Sequence, residues 1–171
     1  MRRVLTYGTF DLLHWGHIRL LKRARALGDY LIVGLSTDEF HTSKLGKKQA
    51  YHSFQTRQIM LEAVRYVDLV VPEQSWDQKL NDVKLYGVDT VVMGSDWTGS
   101  ARFEYLRDHC DVVYLPRTEG TSTSQIRRDL LVEAVSPNNR VGAPGAPALQ
   151  DIPHAEPEPA GTHIPALQHS V

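Results

Sequence analysis

The 171-residue chain has a single cysteine, Cys110, and no apolar run long enough to cross a bilayer. One thiol excludes an intramolecular disulfide framework and fits a reducing compartment. Its place just before an apolar stretch marks it as a buried, inert side chain rather than a nucleophile. An excess of one charge is also missing. With 19 Lys+Arg against 20 Asp+Glu, the formal net charge is -1. No broad basic field invites nucleic acid, and none is expected as a partner. The first residues, Met1-Arg2-Arg3-Val4, enter a strand pattern without the apolar core of a signal peptide. These absences predict a cytoplasmic protein with no membrane partner. There is no Gly-x-x-x-x-Gly-Lys-Ser/Thr, which excludes a P-loop enzyme, and no Gly-x-Gly-x-x-Gly after the first strand, which argues against a dinucleotide redox cofactor. No cysteine cluster or His-Glu-x-x-His supports a zinc hydrolase.

Proline and aromatic residues are scarce in opposite parts of the chain. Seven of the nine prolines lie beyond Ser136, and no Phe, Trp or Tyr does. Such a stretch cannot bury enough apolar surface to offset its ordering entropy. The expected division is a folded domain at 1–135 and a disordered Pro-rich tail at 136–171. The tail histidines, His154, His163 and His169, are too widely spaced to suggest a metal site.

Within the first part, strand and helix patterns alternate. Strands are expected at Arg3 to Tyr7, Tyr30 to Leu35, Val67 to Val71 (stopped by Pro72), Thr90 to Met93 and Val112 to Leu115. Helices are expected at Gly16 to Leu27, Phe54 to Arg65, Trp76 to Tyr86 (ended by Gly87), Ala101 to His109 and Ser122 to Leu131. A short one can start at Thr37, and the polar His41 to Ser53 stretch reads as a loop or lid. Repeated βα units with short connections predict a single α/β domain: a five-stranded parallel sheet, covered by helices on both faces, with its ligand at the carboxyl ends of the strands.

At the first of those ends stands Gly8-Thr9-Phe10-Asp11-Leu12-Leu13-His14-Trp15-Gly16-His17. A helix N-terminus with two imidazoles one turn apart suits a phosphate chain. A lone His-x-x-His can equally close a loop or supply half a metal site. Further on, Arg117-Thr118-Glu119-Gly120-Thr121-Ser122-Thr123-Ser124 precedes Arg127. One hydroxyl would suffice to cap a helix, whereas four in a row make a second anion cradle. Lys44-Leu45-Gly46-Lys47-Lys48 is a local cationic cluster that can be a solvated face or a swinging phosphate clamp. Asp11 and Asp96 can cap loops or hold a magnesium ion.

Both signatures resemble those of the nucleotidylyltransferase superfamily. The Arg-Thr-Glu-Gly lead-in is similar to its cytidylyltransferase branch. Tyr66-Val67-Asp68, Trp76, Met93-Gly94-Ser95-Asp96-Trp97 and Tyr114-Leu115-Pro116 resemble the glycerol-3-phosphate cytidylyltransferases closely. The likeness runs from about Arg2 to Leu131 and omits the tail. It implies a Rossmann-like sheet in the order 3-2-1-4-5, and transfer of a cytidylyl group from CTP to glycerol 3-phosphate with Mg2+. A homodimer is implied too, and a product that feeds teichoic acid or a similar polymer. His14, His17, Lys48 and Arg117 are the implied catalytic residues. Gly8, Thr9, Phe10, Gly16, Met93, Asp96, Thr118, Glu119, Gly120, Thr121, Ser122, Thr123 and Ser124 complete the nucleotide site. Lys44, Arg57, Arg65, Trp76 and Lys79 would hold the acceptor, and Asp11 the metal. Lys47 rivals Lys44 and Lys48 for the phosphates. In relatives an acid can stand at the position of Ser95. Another phospho-alcohol or sugar phosphate as acceptor, ATP as donor, a non-catalytic nucleotide-binding regulator, and a fragment of a class I aminoacyl-tRNA synthetase are the alternatives.

Overall fold

In the computed structural model, residues 1–46 and 49–135 are described. Lys47, Lys48 and the expected tail at 136–171 lie outside that set. The five strands are β1 (Arg3–Gly8), β2 (Tyr30–Ser36), β3 (Leu69–Glu73), β4 (Thr90–Gly94) and β5 (Asp111–Leu115). All pairings are parallel, in the order β3-β2-β1-β4-β5. Helices α1 (Trp15–Arg25), α2 (Asp38–Ser43), α3 (Phe54–Glu62), α4 (Lys79–Tyr86), α5 (Ala101–Glu104) and α6 (Thr123–Val135) connect the strands and follow the last. Among the described residues no helix is long and apolar enough to cross a membrane.

Successive strand residues point to opposite faces, so each strand feeds two cores. On one face Leu5, Ile32, Val91 and Val112 pack with Val83, Phe103 and Leu106. On the other, Val4, Leu31, Val33 and Val92 pack with Leu21, Ala24 and Leu61. Burial on both faces explains the near-continuous apolar runs in β2 and β4.

The observed bounds depart from the expected ones where tertiary structure intervenes. Pro72 does not stop β3, which runs to Glu73. The strand is at the edge of the sheet, where proline is tolerated. α3 ends at Glu62, not Arg65, with Ala63 as its cap. α4 begins at Lys79, so Trp76 lies in the preceding turn. The Gln78 side chain builds that turn, accepting from the Gln74 and Ser75 N–H groups and donating to the Pro72 carbonyl. The helix expected at 101–109 is the one-turn α5 followed by a 3-10 segment at Tyr105–Asp108.

Candidate active site

The carboxyl ends of β1, β4 and β5 open onto a cleft of about 280 Å3 lined by His14, His17, Arg23, Asp96, Arg117 and Thr121 through Ser124, among others. A second cavity, of about 500 Å3, lies between the β1–α1 loop, α2 and α6 and is lined by Thr9, Phe10, Asp11, His17, His41, Thr123, Ser124 and Arg127. His17, Thr123 and Ser124 belong to both.

His14 is the N-cap of α1: its Nδ1 accepts the Gly16 N–H at 3.1 Å. With Nδ1 as acceptor, the ring proton belongs on Nε2. Gly16 is required by this packing, because a Cβ there would sit 2.9 Å from His14 Cε1 and 3.0 Å from Thr121 Cγ2. Gly16→Ala should leave α1 as helical as before, since alanine favours helix. It should nonetheless displace the His14 ring and cut turnover by about a hundredfold. Steady-state rates beside a circular-dichroism melt check this, and an unchanged rate would refute the packing argument.

The two imidazoles stack, with ring centroids 3.8 Å apart and planes inclined by 23°. Phe10 meets His17 edge-on at 5.2 Å. Burial and the neighbouring His14 push the His17 ring down to about 3, against a weaker upward pull from Asp11. Burial, and then Arg117, also lower His14. Both rings are therefore neutral near pH 7, which permits the stack and makes them N–H donors rather than fixed cations. Nδ1 of His17 is buried with no partner among the described residues. An orphaned polar atom of this kind fits a ligand-supplied partner.

The depressed His17 has a consequence for stability. The unfolded histidine titrates near 6.5 and the folded one near 3, so between those values the unfolded chain binds the extra proton. Stability is lost as pH falls from 6.5 toward 3, by up to about 1.4 kcal/mol per pH unit, and nothing is lost above that window. His17→Asn should gain on the wild type in denaturant unfolding at pH 5.0 relative to pH 7.5. Parallel behaviour of the two proteins would contradict it.

Asp11, expected to hold a metal, has other partners. Oδ2 accepts from Tyr51 N at 2.8 Å and from Arg127 Nη2 at 2.5 Å, and Oδ1 accepts from His52 N at 3.0 Å. Its carbonyl accepts from Thr123 Oγ1 at 2.9 Å. Although burial alone would raise it, the N–H donors and Arg127 hold this carboxyl below the usual range. The flanking residues Phe10 and Leu12 both have φ 49°, a left-handed conformation that non-glycine residues adopt only under constraint. The Asp11 contacts supply that constraint and aim Phe10 at His17. A divalent cation at Asp11 would have to displace a guanidinium. Asp96 is exposed on the cleft wall, 3.6 Å from Arg117. A solvent-facing carboxylate held only by that long, exposed ion pair does fit magnesium, which keeps several waters and takes one or two carboxylates plus substrate phosphates.

The other sequence-derived residues divide into two groups. Gly8 ends β1 beneath the Phe10 ring. Thr118 and Thr121 line the cleft, the Thr121 hydroxyl lies 3.4 Å from His14 Nδ1, and Ser122 Oγ accepts the Gln125 N–H at 3.1 Å. Gly120 turns the chain with φ 77°. Met93 is buried in the core, and Glu119 is exposed on the outer side of Arg117 with Arg19 and Arg23.

The residues expected to hold the acceptor are more scattered. Arg57 is 1% exposed and donates to the carbonyls of Thr9, Ser36 and His52 and to Asp38. Arg65 lies beyond α3, is exposed, and has its guanidinium 5.8 Å from the Tyr66 ring. Lys79 is 0% exposed and donates to Glu73 Oε1 at 2.6 Å. Lys44 donates to Ser36 Oγ at 2.7 Å and to Glu73 Oε2 at 3.3 Å. Trp76 stands over both ammonium groups, 5.7 Å from Lys44 Nζ and 4.8 Å from Lys79 Nζ. Glu73, which joins the two lysines, has no signal in the sequence beyond its place at a strand end. Arg23, His41 and Ser36 were likewise hidden, because only the fold brings them here.

Comparison with known proteins fits this geometry. The cytidylyltransferase-like family model matches residues 5–129. The chain is 56% identical over 130 residues to a glycerol-3-phosphate cytidylyltransferase of Bacillus subtilis, covering 76% of this chain and 98% of the relative. It is 57% identical over 130 residues to one of Staphylococcus aureus, covering 76% and 96%. A solved lipopolysaccharide core biosynthesis protein from Thermoplasma volcanium shares the fold, with TM-score 0.60 and 23% identity over 70% of this chain and 99% of that one. The family match begins inside β1 and ends in α6, so it spans every element that lines the cleft, and the chain belongs to the cytidylyltransferase-like family of nucleotidyltransferases.

Proposed function

We propose that the protein transfers a cytidylyl group from CTP to glycerol 3-phosphate, giving CDP-glycerol and pyrophosphate. The observation that carries this is the stacked, neutral histidine pair at the junction of two cavities, with His17 Nδ1 buried and without a partner among the described residues. In-line displacement needs attacking and leaving groups on opposite sides of one phosphorus. A histidine shared by two adjoining cavities lies where such a phosphorus would be.

An oxygen of the acceptor phosphate attacks the α-phosphorus, and the bond to the bridging oxygen breaks. Its electron pair leaves with pyrophosphate. The nucleophile is already an anion, so no side-chain base is needed. Catalysis is positioning and neutralisation of charge on the pentavalent phosphorus. His14 and His17 donate N–H groups to the α-phosphate. Arg117, the hydroxyls of Thr121, Ser122 and Ser124 and the N–H groups that open α6 take the leaving phosphates. Lys48, assigned by the same reading, lies outside the described residues. Lys44 and Trp76 meet the acceptor, while Lys79 acts through Glu73, and Arg57 through the carbonyls of Thr9 and Ser36. Magnesium, if bound by the triphosphate with Asp96, would supply charge neutralisation on the phosphates. Dimerisation and supply of a teichoic-acid-type polymer rest on the family resemblance, and a cytoplasmic location on the sequence features given above. Incubation with each of the four nucleoside triphosphates and a panel of phosphorylated acceptors, with products identified by mass, tests the function. CDP-glycerol should dominate, and a product from another nucleotide or acceptor would replace this reading.

A further inference from the structure

We propose that His41 is a positioning residue for the reaction, holding the Thr9 hydroxyl so that its proton is donated to a phosphate oxygen in the larger cavity. His41 stands on α2 and is 8% exposed. Its Nδ1 lies 2.9 Å from Thr9 Oγ1. Both residues line the cavity of about 500 Å3 that also holds His17, Thr123, Ser124 and Arg127.

A threonine hydroxyl has one proton to give. If it gives that proton to His41, it can offer an anion in the cavity only lone pairs, which repel it. If His41 donates from Nδ1, the Thr9 oxygen is satisfied as an acceptor and its own proton is released toward the cavity. An oxyanion there stabilises the second arrangement and disfavours the first. The cavity is built for an oxyanion on independent grounds. Among the described residues, Nδ1 of His17 and Nε of Arg127, two residues of its wall, are buried without a partner, and the Ser124 hydroxyl belongs to the same lining.

The local backbone holds this pair in register. Thr9 follows directly on β1, and its carbonyl accepts from Arg57 Nη1 at 2.8 Å. The His41 N–H is bonded to the Thr37 carbonyl at 2.8 Å within α2, whose first turn Thr37 caps. Arg57 also grips the Ser36 carbonyl just ahead of that cap, at 2.9 Å. Thr9 and His41 therefore sit on two segments tied to one guanidinium, which leaves little freedom between the two side chains.

The inference rests on the phosphoryl-transfer reading of the cavity, and a double-mutant cycle separates the two. Wild type, Thr9→Val, His41→Leu and the double variant are assayed for pyrophosphate release with CTP and glycerol 3-phosphate, with thermal melts alongside. A wild type that releases no pyrophosphate under any nucleotide overturns the reading of the function. Given an active wild type, Thr9→Val and His41→Leu should each lower kcat/KM for CTP by roughly ten- to a hundredfold, as for a hydrogen bond to a charged group. The double variant should be no slower than the slower single one, because both remove the same proton donor. His41→Asn, whose amide can still donate to Thr9, should recover most of the rate. It also replaces His41→Leu in the cycle should the leucine protein fail to fold. Multiplicative losses in the double variant, or a normal rate in His41→Leu, would overturn the proposal. So would an Asn variant as slow as the leucine one with an unchanged melting temperature.

Discussion

His17→Ala should lower turnover by about two to three orders of magnitude while the protein remains folded, the loss expected when one preorganised transition-state donor is removed. The ring stands in both cavities, stacks on His14 and touches Phe10. Its Nδ1 has no partner among the described residues, so truncation leaves no protein group newly unpaired there. The cost to folding is then that of a small cavity, about 1–3 kcal/mol. Burial keeps the imidazole neutral, so it meets a phosphate as an N–H donor through one ring nitrogen. The interaction strengthens as negative charge gathers on the pentavalent phosphorus, and kcat and kcat/KM should therefore fall together. Steady-state kinetics with both substrates varied, beside a thermal melt, test this. A turnover within about threefold of wild type would end the case for His17 at the reacting centre. A fall in kcat/KM alone, with kcat intact, would make it a ground-state contact.

How much of this site the sequence could reveal depended on range. The parallel sheet and the ligand edge were legible because β2 and β4 are buried on both faces and so read as continuous apolar runs, whereas the strand order came with the family resemblance. The histidine pair and the hydroxyl run were legible because each is a short segment whose neighbours along the chain set its geometry. Asp11 was expected to hold a metal, and the partners its carboxylate has here, Tyr51, His52 and Arg127, lie up to 116 residues away. No local pattern announces that. Arg57 and Arg65 are spaced for one helical face, but α3 ends between them, leaving one buried and one exposed. Lys79 was expected to hold the acceptor, and it is buried on Glu73. Its carboxylate partner at the strand end, Glu73, also serves Lys44, and that triad exists only once the end of α2, β3 and α4 have assembled. His41 and Arg23 gave no signal because helical spacing says nothing about which loop a side chain will face.

Arg57→Ala should destabilise the protein by about 3 kcal/mol or more, the cost of stripping one partner from a buried charged network. The side chain is fully enclosed and makes four contacts. Nε donates to the His52 carbonyl at 3.0 Å, Nη1 to those of Thr9 at 2.8 Å and Ser36 at 2.9 Å, and Nη2 to Asp38 Oδ1 at 2.7 Å. Three backbone segments meet on this one guanidinium: the exit of β1, the exit of β2 and the approach to α3. Removing it leaves three carbonyls short of a donor. Asp38 suffers less, since its side chain is 30% exposed and retains the Phe54 N–H. For a domain of this size the loss corresponds to a fall in melting temperature of about 10 °C. Lysine cannot replace it, because a single ammonium on a flexible stem lacks the planar fork that reaches three carbonyls and a carboxylate at once. Arg57→Lys should therefore recover only part of the difference. Thermal melts of the three proteins without substrate, followed by KM for glycerol 3-phosphate and for CTP well below the melting range, distinguish the two roles. A lowered melting temperature with both KM values disturbed marks a clamp that holds Thr9 and Ser36 in place. A melting temperature within about 2 °C of wild type, with only the KM for glycerol 3-phosphate raised, would instead make Arg57 a direct acceptor contact and would require the guanidinium to turn outward when substrate binds.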